Sequence, residues 1–246
     1  KQPGDVILAF KMFNDKLTAE QRSKTMLLMH TTPVDGNGTD LKAVAKNIAP
    51  DCKVVFSESK LSVQDLNAMY NIADVVVNIA SNEGWGLSST EAMLAGTPII
   101  NNVTGGLQDQ CGFVEPGPYG KWIRFNGEFP TNHMGKFKTH GVWAKPVFPS
   151  NRSLQGSVPT PYIFDDRCQP EDVADAMHHW WDMDLPLRSE YGHAGREFCL
   201  NKGLTAKQMG EKIIEMTDLL ISRPMTRPRY TFNKVEEKQY ENIGIA

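Results

Sequence analysis

The sequence predicts a doubly wound α/β fold: a Rossmann-like parallel sheet with helices on both faces. Over the first hundred residues, short apolar runs alternate with stretches of helical period. The runs are continuously apolar rather than alternating, as in strands buried on both faces. The segments that follow them, "HTTPVDGNG", "SESKL", "SNEGWGLS" and "NNVTGG", are polar and turn-rich. In an open α/β sheet such loops lie outside the carboxyl ends of the strands and converge on one ligand site.

The elements follow in order. In "KQPGDVILAFKMF" Val6, Ile7, Phe10 and Phe13 recur at helical spacing, with Pro3 in the tolerated first turn. A chain that opens inside a core helix reads as a piece of something longer. "KTMLLMHTT" is a buried strand and "PVDGNGTD" a turn. "DLKAVAKNIAP" is a helix with Asp40 as N-cap, Leu41, Val44, Ala45 and Ile48 on one face, and Pro50 as its stop. "KVVFSES" is a strand. "LSVQDLNAMYNIA" is a helix capped by Ser62, with Val63, Leu66, Met69 and Tyr70 facing inward. "DVVVNIA" is a strand, "STEAMLAG" a helix ended by Gly96, and "TPIINNV" a fourth strand.

From Cys111 to about Asp166 the alternation fails. The segment is rich in Gly, Pro and Asn. Its aromatics, Tyr119, Trp122, Phe125, Phe129, Trp143 and Tyr162, predict an ordered insertion with a small hairpin rather than disorder. "KTHGVWAKPVF" within it reads equally as an acceptor-facing segment or a structural flap. Helices resume at "QPEDVADAMHHWWDM", with Pro170 in the first turn and Val173, Ala176, Met177 and Trp180 on one side. Two more follow in "RSEYGHAGREFCLNK" and "TAKQMGEKIIEMTDLLI". The expected organisation is one domain over 1–222, with its insertion at about 111–166, and a proline-punctuated tail over 223–246.

Composition narrows the function. Apolar residues make up 40% and charged residues 22% of 246, enough for a core. A net charge of −3 gives no global attraction to nucleic acid or to an anionic membrane. No apolar run approaches the ~20 residues that span a bilayer, and no signal peptide is visible. Cys52, Cys111, Cys168 and Cys199 form no C-x-x-C pair, which argues against a zinc site and for reduced thiols in a cytosolic protein. Neighbouring His178 and His179 face different ways on a helix. No metal is expected.

The chemistry concentrates in "SNEGWGLSSTEAMLAGTPII", Ser81 to Ile100. A strand delivers the chain to the ligand edge, and Gly84 and Gly86, flanking Trp85, let backbone amides approach a ligand closely. The amides of Leu87, Ser88 and Ser89 open a helix and lack intrahelical partners, so with the dipole they suit a phosphate. Two carboxylates beside a phosphate would repel it. Glu83 and Glu91 make sense if they accept from neutral hydroxyls on either side of a diphosphate. The plainer alternative is a solvated loop charge and a first-turn carboxylate favoured by the dipole. His30 either faces the ligand edge or is a satisfied loop histidine. Gly105 and Gly106 either offer amides to a sugar or serve as a turn.

"EGWGLSSTE" followed by "AMLAGTPII" resembles the E-x7-E signature of retaining, nucleotide-sugar-dependent glycosyltransferases of the GT-B fold, family 4 or glycosyltransferase group 1. The likeness runs from "VVFSESKLSVQDLNAMYNIADVVV" to "NNVTGG", and "GREFCLNKGLTAKQMGEKI" is similar to that family's terminal helices. The resemblance implies the C-terminal, donor-binding domain, with a missing N-terminal acceptor domain on which the tail would pack. Glu83 would contact the transferred sugar near the reacting centre. Glu91 would accept from the ribose, Lys1 would bind the diphosphate, and the amides of Gly86, Leu87 and Ser88 would hold it. Lys60 and Leu61 would line the base pocket, although family members usually carry a Gly near Ser57. Gly84, Trp85, Gly105 and Gly106 complete the implied donor site. The implied activity is metal-independent hexosyl transfer from a UDP- or GDP-sugar to a glycan, lipid or protein acceptor, without a cofactor. It is placed in the cytoplasm and at the membrane periphery in the full protein, and it is lost in the fragment alone. The rival classes are a sugar-nucleotide epimerase of the same architecture and a non-catalytic nucleotide-binding or assembly module.

Overall fold

A computed structural model describes residues 1–36, 38–117, 120–123, 125 and 132–223. The expectations for Tyr119, Phe129 and the tail beyond 223 fall outside them. The chain divides into two units, Lys1–Thr205 and Ala206–Ala246. The first holds α1 (Pro3–Asp15), α2 (Ala19–Arg22), β1 (Leu27–His30), α3 (Leu41–Ile48), β2 (Val54–Ser57), α4 (Val63–Ile72), β3 (Val76–Asn78) and α5 (Leu87–Ala95). It continues with β4 (Ile99–Asn102), α6 (Gly106–Gln110), β5 (Ala144–Val147), β6 (Asn151–Ser157), β7 (Thr160–Arg167), α7 (Pro170–Trp181) and α8 (Leu185–Asn201). Helix α9 (Ala206–Ser222) belongs to the second unit.

Local signals set the helix ends. Asp40 accepts from the Ala43 amide and Ser62 from the Asp65 amide, each satisfying an orphan donor of its helix. Thr18 and Gln21 form a reciprocal capping box that starts the short α2, an element the apolar pattern did not predict. Gly96 ends α5 in the left-handed conformation that favours glycine.

The parallel strands form two hydrogen-bonded groups, β1–β2 and β3–β4–β5. β6 and β7 make a separate antiparallel hairpin with a bulge between Gln155 and Ser157. Alternate residues of β4 serve opposite faces, as strand geometry requires. Ile100 packs with Val6, Phe10 and Phe13 of α1 and with Val173, Met177 and Trp180 of α7. Ile99 packs on the other side with Ala92 and Met93 of α5 and with Phe198 and Cys199 of α8. The α1 cluster also takes in Leu27 of β1 and Val54 of β2, so one helix underlies both strand groups.

Three sequence expectations need correction. Val63 is 81% exposed, and α4 buries none of its residues fully; it packs mainly on α5. Ile48 is likewise exposed, whereas Leu41 of the same helix is buried against Ile7. The segment from 111 to 166 is not wholly an insertion, since Ala144–Val147 supplies β5, a strand of the main parallel group. Trp143, just before it, is buried against Phe198 at 4.6 Å between ring centroids, and its indole N–H donates to Gln110 O at 3.0 Å. Within "KTHGVWAKPVF", Trp143, Ala144 and Val147 are therefore core, while Lys138, Thr139 and Val142 are exposed. The hairpin predicted within the segment is present as β6–β7.

Candidate functional site

The loop from Ser81 to Gly86 joins β3 to α5 at the carboxyl edge of the strands. Gly86 caps α5 at φ 87°, a conformation that a side chain would strain. The amides of Ser89 and Thr90 point to Gly86 O, at 3.1 and 3.4 Å. The amides of Leu87 and Ser88, at the first two positions of the helix, have no acceptor among the described residues and lie at the positive end of its dipole. The side chains around this end are tied down. Trp85 folds its indole back to donate to Thr90 Oγ1 at 2.9 Å, and Ser89 donates to Asn101 at 2.9 Å. Gln110 of α6 donates to the carbonyls of Trp85 and Gly86, the latter at 3.1 Å.

The two glutamates sit on either side of this helix start, each with one partner. Glu83 is largely buried, and its carboxylate pairs with the exposed ammonium of Lys1. Glu91 is exposed and accepts from the Tyr70 hydroxyl at 2.8 Å. Burial first, and then that donated bond, push the Tyr70 phenol above its ordinary range, so it stays protonated as a donor. Tyr70 was expected only as an inward-facing residue. The polar partner was hidden because its donor and acceptor come from different helices.

Gly105 and Gly106 act first as a support. The Gly106 amide donates to Glu83 O at 3.0 Å. Gly105 has φ 48° and ψ −135°, and a Cβ placed there would overlap the same Glu83 carbonyl. The pair therefore cradles the backbone of Glu83 and Gly84, which only glycine allows this closely. Lys60 and Leu61 lie on the loop after β2, at the same end of their strands, Lys60 exposed and Leu61 half-buried. His30, at the end of β1, places Nδ1 3.1 Å from both the carbonyl and the hydroxyl of Ser57, so it is a partnered loop histidine.

A second polar layer, which no local pattern announces, lies behind the loop. Asp165 accepts from Ser81 Oγ at 2.5 Å and from Arg167 Nε at 3.1 Å. Burial works to raise its pKa, but these bonds and the Arg167 charge outweigh it and hold the carboxyl below the usual range. Asp166 is fully buried and accepts from Thr104 at 2.9 Å and from Asn132 at 3.1 Å. Among the described residues no group of three or more His, Cys, Asp or Glu side chains assembles as a metal site, and no helix is long and apolar enough to cross a membrane.

Comparison with known proteins places this geometry. Residues 2–115 match the model of the glycosyl transferases group 1 family. A trehalose synthase from Pyrococcus horikoshii is 27% identical over 108 residues, which cover 43% of this chain and 26% of that protein. Among solved structures, the C-terminal domain of a glycosyl transferase group 1 family protein from Francisella tularensis superposes with a TM-score of 0.50 at 15% identity, over 81% of this chain and 77% of that one. The Anabaena protein HepE, solved in complex with UDP and glucose, gives a TM-score of 0.51 at 11% identity, over 89% of this chain and 53% of its own. The chain thus spans about a quarter of the curated relative and about half of HepE. Residues 2–115, which build the loop, its helix and the glycine cradle, are thus similar to the glycosyl transferases group 1 family, and the chain shares the α/β fold of these structural neighbours.

Proposed function

We propose that this chain is the nucleotide-sugar-binding domain of a retaining glycosyltransferase, one that moves a hexosyl group from a nucleotide-diphosphate sugar to a glycan, lipid or protein acceptor without a metal. The observation that carries the reading is the start of α5, where the Leu87 and Ser88 amides open between Glu83 and Glu91. A diphosphate seated there meets the helix dipole and two uncommitted donors. Lys1 neutralises Glu83 and adds a cation at the same edge. On this reading Glu83 contacts the sugar, Glu91 accepts from the ribose with Tyr70 holding its other side, and Lys60 and Leu61 line the base pocket. The complex of HepE with UDP and glucose lends support through a shared fold.

Glycosyl transfer passes through an oxocarbenium-like state while negative charge grows on the leaving diphosphate. Fixed amides and a cation stabilise that growing charge without a metal. Glu83 then orients and stabilises the sugar and is not required as a general base. The acceptor would be presented by a second domain, so the chain alone binds nucleotide weakly and turns over nothing. Calorimetric titration of the chain with UDP and GDP tests the reading. Saturable binding that weakens in Glu91→Ala supports it, and absence of binding to both nucleotides sinks it.

A further inference from the structure

The hairpin β6–β7 has no part in the donor reading, yet three consecutive residues of β7 grip the loop that carries Glu83. Phe164 O accepts from Asn82 Nδ2 at 3.2 Å. Asp165 accepts from Ser81 Oγ at 2.5 Å, and the Asp166 amide donates to Ser81 O at 2.8 Å. The same Asp166 reaches the other support of Glu83. Its carboxylate accepts from Thr104, the neighbour of Gly105, and lies 3.5 Å from Arg152 Nε. Asn102 closes the set, donating to Ala80 O at 2.9 Å and to Asp166 O at 2.8 Å.

Two adjacent carboxylates buried to 7% and 0% exposure are a costly way to anchor a hairpin that apolar contacts would hold. Their directional bonds fix something that packing does not, namely where the backbone on either side of Glu83 lies. We infer that the hairpin is a brace, and that Asp165 and Asp166 are positioning residues that set Glu83 against the transferred sugar while leaving the α5 amides untouched. This rests on the donor reading, because it assigns a sugar-facing role to Glu83.

The test separates the sugar response from the nucleotide response. The 15N-labelled chain is titrated with UDP and UDP-glucose, and with GDP and GDP-mannose. In the wild type the nucleotide should shift the Leu87 and Ser88 amides, and replacing it by its sugar ester should further shift Glu83 and Gly84. Ser81→Ala and Thr104→Val each remove one hydroxyl donor to the brace with little change of volume. In both, the nucleotide should still bind within about two-fold of wild type. The additional shift at Glu83 and Gly84 should be lost, and Ser81→Thr should restore it. If both variants merely melt lower and keep the sugar-dependent shift, the brace is structural and the inference is overturned. If no nucleotide moves Leu87 or Ser88 in the wild type, the donor reading fails and this inference falls with it.

Discussion

Gly105→Ala probes the cradle under Glu83 more sharply than any change to the glutamate itself. Gly105 has φ 48° and ψ −135°, a region in which a side chain costs about 1–3 kcal/mol. The new Cβ would overlap the Glu83 carbonyl oxygen, with the carbonyl carbon only 3.2 Å away. That neighbour is backbone and has no rotamer through which to escape, so the loop must move. Movement breaks the 3.0 Å bond from the Gly106 amide to Glu83 O, at a further ~1 kcal/mol. The total is about 2–4 kcal/mol, which for a domain of this size lowers the melting temperature by roughly 5–12 °C. Gly96→Ala is the control. Gly96 also has a positive φ, 86°, but open space around it, so only the conformational cost of ~1–2 kcal/mol applies. Thermal melts followed by circular dichroism compare the two. A Gly105→Ala variant that melts no lower than Gly96→Ala, or that melts lower yet responds to sugar nucleotide as the wild type does, would contradict this role of the cradle.

Other consequences follow from the same geometry. Tyr70→Phe removes the donor that holds Glu91 and should weaken nucleoside diphosphate binding about 3–10-fold by calorimetry, with the fold intact; unchanged affinity would remove Tyr70 from the site. His133 is buried among Phe113, Phe125, Phe137 and Phe148, and burial lowers its pKa to about 4. The unfolded chain therefore takes up the proton first as pH falls, so stability drops from about pH 6.5 to about pH 4, by up to ~3 kcal/mol, and denaturant titrations of His133→Phe should show that slope reduced. Gly192→Ala drives a Cβ into the Gly96 carbonyl and against Pro98, where α8 meets α5. It should cost about 2–3 kcal/mol, seen as a lower urea midpoint, and an unchanged midpoint would contradict the packing described.

Continuous apolar runs with turn-rich ends made the parallel strands β1 to β4 legible, although only β4 is buried along its whole length and Val55 of β2 is exposed. Asp40 and Ser62 were legible as caps for a local reason: a cap bonds an amide two or three residues away. Val63 misled because it fits the apolar face of α4 by period, while tertiary placement leaves that end of the helix in solvent. β5 was missed because "AKPV" is short, contains a proline and sits amid glycines and aromatics. At the site, Gly-Trp-Gly and the flanking glutamates announced themselves by spacing. Tyr70, Asp165 and Asp166 did not, since their partners Glu91, Ser81 and Thr104 lie 21, 84 and 62 residues away and no local pattern links them.

On the proposed reading a nucleoside diphosphate seats on the start of α5. The direct measurement is the change in backbone amide resonances of the chain on saturation with UDP or GDP. The largest shifts should fall on Leu87 and Ser88, with smaller ones at Glu91, and should shrink in Glu91→Ala. Saturable binding that moves other amides and leaves Leu87 and Ser88 unshifted, or no binding of either nucleotide, would contradict it.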